Sequence, residues 1–476
     1  MTEISFIESF NMNVLWTDWL IYILLVLITL FVIYARRHEH LRAPWRQILT
    51  RRLAMSASIV LLAFVTIGVL DSVHFRVAEG LKTDGTVRYS SEVTSLFEQL
   101  VLPLKKNVEK TYSAPFATRL YAKENIELPD GSVTRNYPRL LYGGAHLDNP
   151  VTQRGADIVA RIITASWQAA LFVFVFVLLI ATWRGWRKTL PLACMLKRMW
   201  QGRDTLPWKS MIATLAVLVL LISFSIQLST VYHVFGTDKV GQDVFYLTLK
   251  SIRTGLVIGT LTTLIMLPFA IMLGIMAGFF RGWVDDLVQY IYTTLSSVPD
   301  ILLIAAGVLL IQVFIENNAE LFPTLQHRAD AKLVFLCLIL GITSWTGLCR
   351  LLRGESLKLR EVDYIQAAQA FGVSNIKIIM RHILPNVMHI VLIVIVLGFS
   401  GLVLAEAVLS YVGVGVDPSM ISWGNMINGA RLEMAREPIV WWSLVAAFIL
   451  MFMLVLAANL FADAVRDAFD PRLRSQ

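Results

Sequence analysis

The chain has 476 residues, 56% hydrophobic and only 16% charged, with a mean hydropathy of +0.64. Soluble domains carry about 25% charged residues, so a water-soluble single-core protein is excluded. The net charge of +8 does not point to nucleic acid, because the basic residues crowd into two short segments.

A hydrocarbon core about 30 Å thick takes roughly 20 mostly apolar residues at 1.5 Å rise each. Nine runs meet that length: Trp16 to Ala35, Leu53 to Leu70, Ile162 to Thr182, Met211 to Tyr232, Leu256 to Phe280, Leu287 to Ile315, Leu333 to Leu352, Val387 to Val412 and Val440 to Phe461. Backbone polar groups in lipid are satisfied within a helix or a closed barrel. The alternating segments of a barrel are absent, so the predicted fold class is all-α, a polytopic membrane protein with about nine transmembrane helices. The first run also admits a re-entrant or interfacial reading.

Taken in chain order, the segment before Trp16 carries Glu3 and Glu8 and no Lys or Arg. It is expected outside, and without a positively charged n-region the first helix is expected to stay in the mature protein. Arg36, Arg37, Arg42, Arg46, Arg51 and Arg52 then crowd the loop after the first run, which the positive-inside rule assigns to the cytoplasm. This gives a first division at 1–70. Residues 71–161 form the only long polar interval and are expected to be a periplasmic insert of mixed structure. Its turn signals are Pro129-Asp130-Gly131, Gly143-Gly144 and Asn149-Pro150. It reads as a spacer or docking surface, or as a site for a ligand.

The third run and a second basic loop, with Arg184, Arg187, Lys188, Lys197, Arg198, Arg203 and Lys209, make up 162–207. Residues 208–476 hold closely spaced helices with short connections, and nine crossings place the C-terminus inside. Cys194, Cys337 and Cys349 form neither a disulfide framework nor a metal motif. His233, His327, His382 and His389 are too scattered to predict a metal centre.

The polar interval Arg353 to Arg381 interrupts the apolar pattern. Ala367, Ala368 and Ala370 favour a short helix, Gly372 can end it in a left-handed conformation, and Ser374 or Asn375 can cap a second one. Pro385 suits the first turn of the following span. A helix-Gly-helix elbow with apolar Ile365, Phe371, Ile376 and Ile379 offers a grip for a partner protein.

These residues resemble the cytoplasmic EAA loop of ABC importer permeases: Glu-Ala-Ala, three residues, Gly, nine residues, Ile-x-Leu-Pro. Ala367, Ala368, Gly372, Leu384 and Pro385 fall in register, while Gln366 replaces the Glu and His382 the Ile. Gly236-Thr237-Asp238-Lys239-Val240-Gly241-Gln242-Asp243-Val244 resembles a segment of the C-type permease of dipeptide and oligopeptide importers, with Gln242 in place of Arg. Leu409 to Val416, Ser422 to Met426 and Arg466 to Arg472 continue the likeness. It covers roughly 208–472; the first 200 residues depart from it.

The resemblance implies a type I ABC importer permease core for peptides or related small solutes. It implies a second permease subunit in a heterodimer, two cytoplasmic ATPases that bind ATP and Mg and grip the 361–384 loop, and a periplasmic solute-binding protein. Nucleic acid is not expected as a partner; membrane lipid is. The coupling residues expected are Gln366, Ala367, Ala368, Phe371, Gly372, Ile376, Leu384 and Pro385.

Glycines 236 and 241 have phosphate-loop spacing, but Gln242 and Asp243 stand where Lys and Ser or Thr are required. With no Walker motif, the chain is expected not to be an enzyme, to have no catalytic or metal site, and to hold no cofactor itself. Glu406, Asp300 and Trp423 are the candidates for the pathway or gate, an ionisable group in a membrane span being a functional candidate by default. For Glu406 a purely structural hydrogen bond is the alternative. Asp285 and Asp286 are read as dipole partners at a helix start, and Gly259, Gly274 and Gly278 as sites of close helix packing. A different class of function stays open, in which the insert makes the chain a membrane-anchored sensor or assembly scaffold.

Overall fold

The computed structural model describes residues 10–81, 87–90, 93–127, 133–202, 204–322 and 324–469. Glu3, Glu8, the turn Pro129-Asp130-Gly131, Arg203 and the tail Asp470 to Arg472 lie outside the described residues. In chain order the helices are α1 (Trp16–Arg37), α2 (Glu39–Thr50), α3 (Arg52–Asp71), α4 (Leu96–Leu100), α5 (Leu102–Lys106), α6 (Pro150–Lys188), α7 (Leu192–Gln201), α8 (Trp208–Ser229) and α9 (Val244–Phe280). They continue as α10 (Trp283–Ser297), α11 (Asp300–Asn317), α12 (Leu325–Arg360), α13 (Asp363–Ala370), α14 (Asn375–Ile378), α15 (Leu384–Val412), α16 (Trp423–Glu433) and α17 (Trp442–Phe469).

Among the described residues nine helices are long and apolar enough to cross a membrane, one for each of the nine runs. The fold is all-α with a small β-containing insert. Several helix boundaries differ from the apolar runs. The run Leu287 to Ile315 is split, because Pro299 favours an extended residue before it. Val298 accordingly has ψ 132° and closes α10, and α11 starts after the proline. Helix α6 begins at Pro150, well before its apolar run, and its 39 residues exceed what the hydrocarbon core requires.

The chain divides into two compact units. The first comprises Met1–Asn13, Arg46–Arg253 and Ile421–Ala457. Its strands are β1 (Phe10–Met12), β2 (His74–Leu81), β3 (Val87–Tyr89) and β4 (Thr94–Ser95), with β5 (Glu124–Glu127) and β6 (Val133–Asn136) as a separate antiparallel pair. In the larger sheet β2 pairs antiparallel with β1, β3 and β4; Phe10 faces Val77 and His74 faces Ser95. The chain before α1 and the chain after α3 therefore share one sheet. Helices α6 and α8 pack together, with Ser223 Oγ donating to the Ala165 carbonyl at 3.0 Å and Gln227 Nε2 to Gln168 Oε1 at 2.9 Å.

The second unit comprises Val14–Trp45, Thr254–Met420 and Ala458–Gln476. Its largest core brings together Phe279, Val288, Trp345, Leu352, Ile365, Ile378 and Val387. A second core joins Ile258, Leu333, Leu336, Leu340 and Leu409, with Leu20 and Ile21 of α1 packed on it. Helix α1 is also fixed by Thr17, whose backbone N–H donates to the buried Asp330 carboxylate at 3.1 Å and whose hydroxyl donates to the same group. All three glycines read as packing sites meet a neighbour closely. A Cβ on Gly278 would lie 2.6 Å from the Arg353 carbonyl, one on Gly274 2.8 Å from the Cys349 carbonyl, and one on Gly259 2.5 Å from the Phe399 ring.

Candidate functional site

The elbow lies between α12 and α15 in the second unit. Helix α13 ends in a Schellman arrangement: the Val373 N–H bonds the Ala368 carbonyl at 3.0 Å and the Gly372 N–H bonds the Gln369 carbonyl at 2.9 Å. Gly372 supplies the left-handed residue this requires, at φ 74°. Ser374 occupies the N-cap of α14 without a side-chain capping bond. Beyond α14 the backbone does not break before the span. A π-helical turn, Ile379–Ile383, carries it directly into α15. Pro385 has no N–H to give and its ring crowds the preceding turn; the widened π turn just before it relieves both constraints.

The elbow has two unlike faces. Ile365, Ile378 and Ile383 are fully buried in the core, and Ala368, Val373, Ile379 and Leu384 pack against it. Phe371 is 86% exposed and Ile376 75%, with Met380 exposed beside them. Water gains nothing from such large apolar side chains, so the underside holds the elbow in place and the upper side presents a small apolar knob. Ala367 is exposed and Ala368 half-buried.

Gln366 donates weakly to Glu361, from Nε2 to the carbonyl at 3.3 Å and to Oε2 at 3.4 Å. Glu361 in turn pairs with Arg281 at 2.5 Å. An amide at 366 spares Glu361 a second carboxylate nearby. Deeper contacts tie the base of the elbow to α9 and α10. Arg360 Nη1 donates to the Phe279 carbonyl at 2.9 Å, and Arg353 grips Asp285 through two nitrogens. That hydrogen-bonded guanidinium holds the Asp285 carboxyl below its usual range, although burial works the other way. Asp285 also sits in the first turn of α10, so the dipole reading and the ion pair coexist.

Of the gate candidates, Glu406 lies on α15 and Asp300 on α11 of the second unit, and Trp423 on α16 of the first. Glu406, 2% exposed, accepts from Ser410 Oγ at 2.8 Å. Just beyond, Gly413 and Val414 close α15 by bonding the Ser410 and Leu409 carbonyls. Asp300 is exposed in the first turn of α11. Trp423 belongs to the first unit, where it is buried and its Nε1 donates to the Thr248 carbonyl at 3.0 Å.

The first unit holds a charged centre that motif reading missed. His233 Nδ1 lies 2.6 Å from Asp243 Oδ2, and its Nε2 3.4 Å from Glu109 Oε1. Glu109 also accepts the backbone N–H groups of Leu141, Tyr142 and Gly143 at 2.8, 2.8 and 3.1 Å. Asp243 caps the start of α9 by accepting from Phe245 N at 2.8 Å and Tyr246 N at 3.2 Å. Burial opposes charge at both His233 and Glu109, but the bonds between opposite charges outweigh it. They raise the imidazole to about 9 and lower the Glu109 carboxyl to about 2.

Thr237 of the same segment accepts from Ser113 N at 2.7 Å and donates to the Thr111 carbonyl at 2.8 Å, while Trp442 Nε1 donates to the Thr237 carbonyl at 2.9 Å. The Gly-Thr-Asp segment is thus a clamp on residues 109–113. Its signal in sequence was the motif itself; the partner lay 124 residues away. A second buried group joins Lys250 to Asp71 and Glu98, each at 2.6 Å, with Lys105 also on Glu98 at 2.8 Å. Burial pushes the Glu98 carboxyl up, and the two ammonium groups more than reverse it, to about 2.

Residues 270–475 match the family model described as the binding-protein-dependent transport system inner membrane component. The oligopeptide transport system permease protein OppC of Mycobacterium bovis is 35% identical over 243 residues, which cover 51% of this chain and 77% of that protein. The chain belongs to this permease family. The dipeptide permease DppC of Alkalihalophilus pseudofirmus is 34% identical over the same length, covering 51% of this chain and 73% of the relative. The glutathione permease GsiD of Pectobacterium atrosepticum is 31% identical, covering 51% and 74%. The protein is accordingly a multi-pass inner-membrane permease subunit of an ABC importer, not its ATPase. Membership implies an ATPase and a solute-binding protein as partners.

Proposed function

We propose that this permease belongs to the peptide-importing class and forms the solute pathway as a heterodimer with a second, similar subunit. Two cytoplasmic ATPases bind ATP and Mg and grip the 361–384 elbow, and an extracytoplasmic binding protein delivers a peptide or related small solute. When ATP draws the ATPases together the elbow moves with them, and its buried underside passes the motion to α9, α12 and α15. Differential affinity of the ATPases for the two states is what shifts the equilibrium.

The observation that carries this reading is the contrast between fully buried Ile365 and Ile378 and the exposed Phe371 and Ile376. A surface loop without a partner has no use for two large bare apolar groups above a fixed base. The substrate class is supported by the names of three relatives, which transport oligopeptides, dipeptides and glutathione. The N-terminus is proposed to lie on the extracytoplasmic side with the insert, supported by the pairing of Phe10–Met12 with Phe75–Val77, and the C-terminus on the cytoplasmic side. The proposed organisation is 1–70, the 71–161 insert, 162–207 and the 208–476 permease domain. Glu406, Asp300 and Trp423 remain proposed contributors to the pathway or gate.

The test is ATP-dependent uptake of a labelled peptide into proteoliposomes holding both permeases, the ATPases and the binding protein. Uptake that requires ATP and the elbow supports the proposal. An assembled complex that recruits no ATPase overturns it; recruitment with uptake of non-peptide solutes alone overturns the substrate class.

A further inference from the structure

Helices α6, α7 and α8 lie outside the 270–475 family match and enclose a furrow of about 530 Å³, within the roughly 300–1,000 Å³ range of ligand pockets. Its walls are Ala169, Ala170, Val173 and Val177 of α6 facing Ile212, Ala216, Val217 and Leu220 of α8. Small side chains leave the space open: Ala169, Ala170 and Ala216 line a stretch where larger residues would meet. Among the described residues the hydrophilic lining is Ser166 at one end and Lys209 at the other, beside Trp200 of α7.

The furrow runs along α6 from Ser166 to Val177 and along α8 from Leu220 back to Lys209. Eleven residues at 1.5 Å each make about 16 Å. That is close to the depth of one leaflet, about half of the ~30 Å hydrocarbon core.

The end near Lys209 is cationic. Helix α7 is amphipathic, with Met195 and Met199 buried and Lys197, Arg198 and Trp200 exposed, the make-up of a helix lying in the membrane interface. Other charges nearby are already used. Arg184 and Lys188 pair with Asp204 at 2.7 and 3.1 Å, and Arg187 lies 4.4 Å from the Trp183 ring centroid. Lys197, Arg198 and Lys209 have no carboxylate partner among the described residues, and the Lys209 ammonium rests 5.8 Å from the Trp200 ring centroid.

We propose that this furrow is a binding site for one anionic phospholipid of the surrounding membrane. An acyl chain lies between α6 and α8, and the phosphate is held by Lys209 with Lys197 and Arg198 at the rim. The length of the furrow selects a single chain running parallel to the helices, and the one-sided charge sets the headgroup end. By the positive-inside rule that end faces the cytoplasmic leaflet.

Native mass spectrometry of the assembled permease complex in detergent tests this, with phosphatidylglycerol or phosphatidylethanolamine of identical acyl chains added after delipidation. Phosphatidylglycerol is expected to bind several-fold more tightly. Lys209→Gln should reduce its affinity about fivefold, the effect of one cation near an anionic surface, and leave phosphatidylethanolamine unchanged. The triple variant K197Q/R198Q/K209Q should abolish the preference, while Ala216→Leu should block both lipids by filling the furrow. The triple variant changes only exposed side chains, so it decides the matter even where A216L fails to assemble. Equal binding of the two lipids, or an unchanged preference in the triple variant, overturns the proposal. So does a photocrosslinker at Phe174 that labels a polypeptide instead of lipid.

Discussion

The guanidinium of Arg353 holds the carboxylate of Asp285 with two hydrogen bonds, Nε to Oδ1 at 2.5 Å and Nη2 to Oδ2 at 2.7 Å. This fork joins the last turns of α12, which lead into the elbow, to the first turn of α10. Lys carries the same charge but not the planar pair of donors. Arg353→Lys is therefore expected to cost about 1.5–3 kcal/mol, the range of hydrogen bonds to charged groups, read as a lower melting temperature of the purified complex. Asp285→Asn should cost a similar amount and still bind ATPase, because neither residue belongs to the exposed knob.

The knob itself separates grip from stability. Phe371→Ala removes a side chain that is 86% exposed and should leave the permease melting temperature unchanged while weakening ATPase co-purification. Ile365→Ala empties a fully buried position and should destabilise by about 2–5 kcal/mol. If F371A recruits ATPase as well as the parent protein, the knob is not the grip.

Gly372 tests the shape of the elbow. Its φ of 74° with no atom within 4 Å of a built Cβ means that a substitution there is penalised by backbone conformation and not by crowding. Gly372→Val should impose about 1–2 kcal/mol of left-handed strain, reducing ATPase recruitment and uptake with membrane insertion intact. Gly372→Asn, which tolerates that region, should retain most of both. Equal behaviour of the two variants would separate the function of the elbow from its left-handed residue.

These contrasts follow how information is distributed along the chain. The nine spans were legible because hydropathy is a local property, and the elbow because Ala367, Ala368, Gly372 and Pro385 each state a local backbone preference. The π turn at 379–383 was not legible: Pro385 reads as suited to the first turn of a new span, and only the continuous helix on both sides shows that the backbone widened there instead. Nor were the pairs that depend on tertiary structure. Arg353 and Asp285 are 68 residues apart, and His233 and Glu109 are 124 apart. Asp285 read as a dipole partner because its immediate neighbours were all the sequence could show. Scattered histidines argued against a metal site, yet the same scatter hid an imidazole seated between two carboxylates.

That imidazole makes the clamp on the insert sensitive to pH. The His233 value is raised to about 9 from an ordinary 6.5, so its contribution to stability is complete below about 6.5 and is lost as pH rises through about 9. The Glu109 carboxyl is lowered to about 2 from 4.5, so its contribution is present above about 4.5 and is lost as pH falls through about 2. Between those limits both charges hold the backbone N–H groups of Leu141, Tyr142 and Gly143 in place. Hydrogen exchange at these three amides, corrected for intrinsic rates, should be flat from about pH 5 to 6 and accelerate from there toward pH 9.5. His233→Gln leaves Glu109 and Asp243 buried without their cation and should cost about 3–5 kcal/mol, with exchange already fast at neutral pH and no further rise above it. Protection at 141–143 that is independent of pH in the parent protein would show that Glu109 holds this turn without help from His233.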